Sequence, residues 1–498
     1  MRLPRFALLA GFVALATFAC AAPGKRYVVS DHGALGDGKT VNTAALQGLI
    51  DRCAAEGGGA VVVPKGTFVS GALFFKQGVD LVIEKDGVLK STITMADFPI
   101  VYTRWEGIER YWTCAFLNFI GMRNVSVSGE GLIDGSGDTF ESLNPRFGRR
   151  PAGATAGGPS AMPQAGASLP QGATSSAPSA DGVRPQRPTP PPEPAGPLPT
   201  VAEAYGTRIP TTAALFIAPD RANLPVINAA GVRIPRGQPS PPRAVIFQNC
   251  TNVRVSNVSL KNQARWGWVF LYCDDVVAEK LTVRAEHNIP SSDSMDVDSC
   301  RRVLITGCDF DCNDDCLSIK SGKDEDGRRV NRPCEDIIVE KTRFGYGHGG
   351  AAMGSETSGG IRNVEIRDCV AEAENWAPVR FKSQPSRGGV VENITYRNFE
   401  LRGTRQAFEF NLEWNMRINV AGDNRMPPTV RNVRLINVRG TARAVGAIHG
   451  LTDSFIDGVT FEHCDITADR GLLIENARNV DTSGLTLHVA SGEPIIRR

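Results

Sequence analysis

A short phrase recurs along this chain: a polar residue, most often Asn, followed by β-branched or aliphatic residues. It reads NVSV from Asn124, NVRV from Asn252, DVVA from Asp275, RVLI from Arg302, DIIV from Asp336, NVEI from Asn363, NITY from Asn393, NVRL from Asn432 and NVDT from Asn479. From Asn252 to Asn393 the intervals are 23, 27, 34, 27 and 30 residues. One such strand cannot bury its apolar face alone, whereas stacked coils can, with inward side chains aligned in rows. Intervals of this size with almost no helical periodicity predict an all-β fold, a single-stranded right-handed parallel β-helix. A β-sandwich would explain short strands but not a phrase that returns nine times. Asn suits the strand entry because it tolerates left-handed backbone and bonds local amides at a turn.

The N-terminal part agrees. One amphipathic helix is predicted from Thr43 to Ala55, with Leu46, Leu49, Ile50 and Cys53 on one face. Set on the first coil, it would cap the open edge that otherwise invites aggregation. Residues 149 to about 200 are rich in Pro, Ala and Gly and could form little core, so a disordered insertion in the domain spanning 22–498 is expected there. The phrase continues on both sides, so the insertion need not mark a domain boundary.

Residues 1–21 carry two early arginines, an apolar run from Phe6 to Phe18 and an Ala19-Cys20-Ala21 cleavage pattern. They read as a signal peptide for a secreted or periplasmic protein, the run being too short to span a bilayer. Cleavage before Cys20 with lipidation is the lesser alternative, since Thr17-Phe18-Ala19 is a poor lipoprotein signal. In an exported chain some of the remaining eleven cysteines could pair; the alternative is buried free thiols at recurring strand positions. No Cys/His spacing of zinc type occurs. The formal net charge of +2 gives no argument for a nucleic-acid or membrane partner.

The chemistry-bearing stretches are PSSDSMDVDSC at 290–300 and DCNDDCLSIKSG at 311–322, which pile aspartates onto neighbouring strand ends. Asp293 lies 21 residues before Asp314 and 22 before Asp315, about one coil. Successive coils stack at roughly 4.8 Å, so three carboxylates would converge on one face. Together they would raise one another's pKa and keep a proton near neutral pH. A proton donor beside an ionised base is what glycosidic cleavage requires. Asp296 and Asp298 are open between site, turn and satisfied-core roles. Longer coils then bring His348, 33 residues after Asp315, and Arg380, 32 residues after His348. Alternation puts Arg380 and Lys382 on one side of their strand, with Phe381 inward. Two fixed cations beside acids suggest an anionic sugar. Alone, an Arg-x-Lys pair is usually solvated surface and a Gly-flanked His a turn residue; in coil register they favour a site.

SSDSMDVDSC, NDDCLSIKSG, GHGG and RFK, in this order, resemble the four signature blocks of glycoside hydrolase family 28, the polygalacturonases and their relatives. GALGDGKTVNTAALQ and GSETSGG are also similar to bacterial members. The resemblance implies hydrolysis of pectic polysaccharide or oligosaccharide with inversion, without metal or cofactor. It implies Asp314 as general acid, Asp293 and Asp315 holding and deprotonating the attacking water, His348 supporting the acid, and Arg380 and Lys382 binding the substrate carboxylate. Acids one coil apart are closer than the roughly 6.5–9.5 Å of inverting enzymes, so spacing alone suggests retention. Ser291 and Ser292 stand where Asn-Thr is usual, and Ser294 replaces a Gly, which bears on the exact substrate. Trp266, Trp268 and Trp414 are candidates either for sugar stacking or for filling between coils. A monomer is expected. The rival readings are a calcium-dependent, pectate-lyase-like elimination and a non-catalytic carbohydrate-binding β-helix.

Overall fold

Each of the nine phrases begins within the first residues of a strand in the computed structural model, which describes residues 24–142, 226–227, 233–234, 240–414 and 425–498. The polar residue that begins each phrase has left-handed backbone, with φ between 53° and 59° at all nine positions. The residue after it pairs in parallel register from coil to coil: Val125, Val253, Val276, Val303, Ile337, Val364, Ile394 and Val433. The row continues to Val459 and Val480. The coil of Val459 escapes the phrase because Gly458 takes the left-handed position that Asn holds elsewhere. Side-chain amides stack along this corner, Asn252 donating to Asn124 at 2.6 Å and Asn393 to Asn363 at 3.1 Å.

Three such ladders, one per face, close the coil into a parallel β-helix, right-handed as parallel crossovers are. Inward rows of Phe fill it: the rings of Phe75, Phe119, Phe247 and Phe270 follow one another at 4.3, 4.6 and 5.4 Å. The helix Thr43–Ala55 forms as predicted and buries Leu46, Leu49, Ile50 and Cys53 against the first coils. The eleven described cysteines are all buried and unpaired, so of the two alternatives the buried free thiols hold and pairing does not. Three of them are small core residues at a repeating corner, where Cys273 N donates to Cys300 Sγ and Cys300 N to Cys334 Sγ.

The expected signal peptide at 1–21, with Cys20, and the Pro/Ala/Gly-rich insertion at about 149–200 lie outside the described residues. The coils on either side of that long segment stack directly, Leu117 on Val245 and Leu132 on Ser259. No helix among the described residues is long and apolar enough to cross a membrane.

One face carries the site. Its strands include Trp268–Leu271, Met295–Asp298, Asp315–Lys320, Gly347–Gly354 and Asn375–Lys382. An antiparallel hairpin, Ile100–Trp105 with Ile108–Thr113, lies over this face and was not foreseen. Its signal was Glu106-Gly107 between alternating residues; both have positive φ, 45° and 80°, as a two-residue primed turn requires.

Candidate active site

Met295 pairs with Leu317 and Asp296 with Ser318, so Asp293 falls opposite Asp315 in the next coil. Asp293, Asp314 and Asp315 each offer a carboxylate oxygen within 4.8 Å of the others. His348 lies one coil beyond Asp314, its Nδ1 3.3 Å from Asp314 Oδ1 and its backbone N–H donating to Asp314 O. One coil further, Arg380 and Lys382 point outward while Phe381 stacks on Phe410 in the core at 4.3 Å. The sequence-derived site residues therefore converge.

Their partners reveal more than the sequence implied. Arg380 donates to Asp315 Oδ1 at 3.2 Å and to the carbonyl of His348 at 2.9 Å, and lies 2.6 Å from Glu409 Oε2. Lys382 Nζ contacts Asp315 Oδ2, which also accepts from Ser318 Oγ at 2.8 Å. In the free protein both cations thus neutralise an acid. Arg380 Nη2 is buried without a hydrogen-bond partner. The GHGG block has a steric reason: a Cβ on Gly349 would lie 2.9 Å from Asp315 Oδ1 and 3.2 Å from Arg380 Cδ. Trp414 packs beneath the two cations, 4.8 Å from Arg380 Cζ and 5.6 Å from Lys382 Nζ. Trp268 fills the core, and Trp266 stacks on Trp105 at 5.2 Å.

A second charged layer went unassigned in the sequence. Lys320 Nζ lies 3.5 Å from Asp296 and 3.1 Å from Glu356 Oε2. Lys320 shares outward parity with Ser318 on its strand, the one signal that could have marked it. Asp298 is a satisfied group, paired with Arg104 at 2.7 Å. Ser292, in place of the usual residue, accepts from Asn313 N at 3.2 Å.

These contacts split the acids electrostatically. Burial, then the charges of Asp296 and Asp314, push Asp293 well above the carboxylate range, and its Oδ1 has no hydrogen-bond partner. Burial also raises Asp296, to about 8 despite Lys320. Burial acts upward on Asp315 too, yet Lys382 and Arg380 outweigh it and hold the group low. Desolvation also acts upward on the half-buried Asp314, but His348 first and then Lys382 and Lys320 bring it below the ordinary value. Its side chain is 27% exposed against 1% for Asp315, so Asp314 is the acid that reaches outward.

A fold and site of this kind, an acidic cluster with basic partners on one face of a parallel β-helix, define a carbohydrate-active class. The chain matches the family described as Glycosyl hydrolases family 28 over residues 229–484, and it belongs to that family. It is 26% identical over 397 residues to the exo-poly-alpha-D-galacturonosidase of Dickeya chrysanthemi, covering 78% of this chain and 57% of that protein. It is 22% identical over 388 residues to a probable polygalacturonase of Vitis vinifera, covering 61% of it. The chain thus spans less than two thirds of these relatives. Among solved structures, the exopolygalacturonase of Thermotoga maritima superposes with a TM-score of 0.66 at 25% identity, covering 95% of this chain and 92% of that one. The family 28 exopolygalacturonase of Yersinia enterocolitica shares the fold, with a TM-score of 0.69 at 22% identity over 96% of this chain and 77% of that one.

Proposed function

We propose that this protein hydrolyses glycosidic bonds in galacturonate-containing pectic polysaccharide or oligosaccharide by general acid/base catalysis. The observation that carries the reading is the convergence of Asp293, Asp314 and Asp315 within 4.8 Å, beside Arg380 and Lys382. Asp314 gives its proton to the glycosidic oxygen as the bond to the anomeric carbon breaks. Water held by Asp293 and Asp315 loses a proton to this pair and attacks that carbon. His348 keeps Asp314 oriented and returns it to the protonated state through solvent.

Free Asp314 is held ionised, so an acid role needs a source for its proton. The substrate supplies the condition. A uronate carboxylate that engages Lys382 and the unpartnered Arg380 Nη2 brings negative charge to the site and draws positive charge from the acids. Both changes raise the pKa of Asp314 and make Asp315 a better base. Family membership supports inversion of configuration, although the close acids alone fit retention. Calcium chemistry is disfavoured by the donor set. Asp315 already spends both oxygens on Arg380, Lys382 and Ser318, too little remaining for the 6–8 oxygen ligands calcium takes. The cationic N-terminus and its cleavage pattern support export, and we read the protein as a monomer.

The test is incubation with a panel of pectic oligosaccharides, following new reducing ends and the anomer of the first product by NMR. Saturated products of inverted configuration are expected. An unsaturated, ultraviolet-absorbing product abolished by a chelator would replace hydrolysis with elimination.

A further inference from the structure

The outward face of the catalytic sheet is not uniform along the helix axis. On the N-terminal side of the acids its outward residues form an apolar cluster of Ala115, Ile246, Trp266, Val269, Leu271 and Tyr272. The hairpin Ile100–Thr113 lies on this cluster. Trp105 stacks on Trp266 at 5.2 Å, and Gln248 donates to the carbonyl of Tyr102 at 3.3 Å. Arg104, whose side chain is 1% exposed, pairs with Asp298 at 2.7 Å, donates to Ser299 Oγ at 2.8 Å and sits over the Tyr272 ring at 4.6 Å. Tyr272 donates in turn to Glu109 at 2.8 Å.

The hairpin tip reaches the edge of the acid cluster. Lys323 N donates to Gly107 O at 2.8 Å, and a Cβ on Gly107 would lie 2.5 Å from Lys323 Cβ and 2.8 Å from Glu356 Cγ. Glu356 holds Lys320, and Lys320 lies against Asp296, three residues from Asp293. Trp268 pairs with Met295, so Trp266 holds the register position of Asp293 one coil earlier, and Trp105 covers the sheet there, immediately N-terminal to the acids. Among the residues around the acids, Asp314, His348 and His287 keep exposed side chains.

We infer that the hairpin stoppers the groove, so that the enzyme accepts only a chain end and releases one short product per turnover. This rests on the hydrolase reading above and adds the mode of attack, set by Arg104, Trp105 and Gly107. A strand seated over a buried ion pair and two stacked indoles is not a door that substrate binding would push open, because lifting it would leave Asp298 buried without its cation.

The experiment is a time course of product lengths from polygalacturonate and from oligogalacturonides of defined length, with solution viscosity followed in parallel. One short product from the first turnover to the last, with viscosity falling slowly against reducing ends, is expected. A ladder of intermediate lengths with early loss of viscosity would overturn the inference and leave hydrolysis standing. If no reducing ends form, the hydrolase reading fails, and binding of Asp314→Asn protein to polygalacturonates of graded length still decides the stopper. One protein bound per chain whatever its length supports it; occupancy rising with length overturns it. A variant lacking Glu106 and Gly107 should yield longer products, and the wild-type course stands whether or not that variant folds.

Discussion

Asp293 and Asp315 occupy equivalent positions on successive coils, both are buried, and their acidities move in opposite directions. Asp293 faces Asp296 and Asp314, which add to burial in pushing its acidity up, whereas Asp315 faces Lys382 and Arg380, which hold it down. The repeat supplies two copies of one backbone position, and what lies across the groove makes them chemically different. Burial by itself would have raised both.

The largest expected effect tests this pair directly. Asp315→Asn should destabilise the protein by about 3–5 kcal/mol, since it leaves Arg380 and Lys382 as buried cations without their shared acid. It should also abolish turnover. Asp293→Asn should abolish turnover too, but raise the melting temperature at pH 7. The folded state holds a proton there that the unfolded chain gives up, so that position loses stability as pH rises above the unfolded value. Thermal melts of both variants check the opposite signs; equal signs would break the comparison.

Asp314→Asn should lower kcat by roughly 10²–10⁴, the range of general acid catalysis, and lower the melting temperature at pH 7, because the fold holds this carboxyl below its ordinary pKa. Retained activity on a cleaved substrate would remove Asp314 from the mechanism. Asp296 sharpens the argument through pH. With its pKa raised from 3.8 to about 8, stability at this position falls as pH climbs through that window. Asp296→Asn should flatten that slope in melts taken from pH 4 to 8, and an unchanged slope would assign it elsewhere.

Lys382→Ala should raise KM for uronate substrates roughly 10- to 100-fold, as expected for losing a hydrogen bond to a charged group, and leave neutral sugars unaffected. Because Lys382 depresses Asp315, its removal should also shift the acid limb of the pH–rate profile upward. The smallest effect belongs far from the site. Asn363→Ala loses the amide ladder and a favourable left-handed residue, at a cost of about 1–2 kcal/mol with kcat unchanged.

Much of this was legible before any coordinates. The Asn-led phrase specified the coil because a left-handed corner and an inward aliphatic row are local demands that local residues meet. Coil lengths near one repeat apart put Asp293, Asp314, Asp315, His348, Arg380 and Lys382 in one neighbourhood. The sequence did not show which partner each charge takes. Lys382 lies 67 residues from Asp315 and Glu356 lies 36 from Lys320, with loops of unequal length between coils. The hairpin was hidden for a related reason: its turn signal is two residues long, and its target, Asp298, is 194 residues from Arg104.

The amino-acid order alone determined the solenoid and the membership of its acidic face, because both follow from short periods repeated along the chain. The protonation pattern of that face and the closure of its groove were decided only in three dimensions. Coulomb interactions and burial depend on distances through space, which stacked coils and an overlying hairpin set independently of separation in sequence.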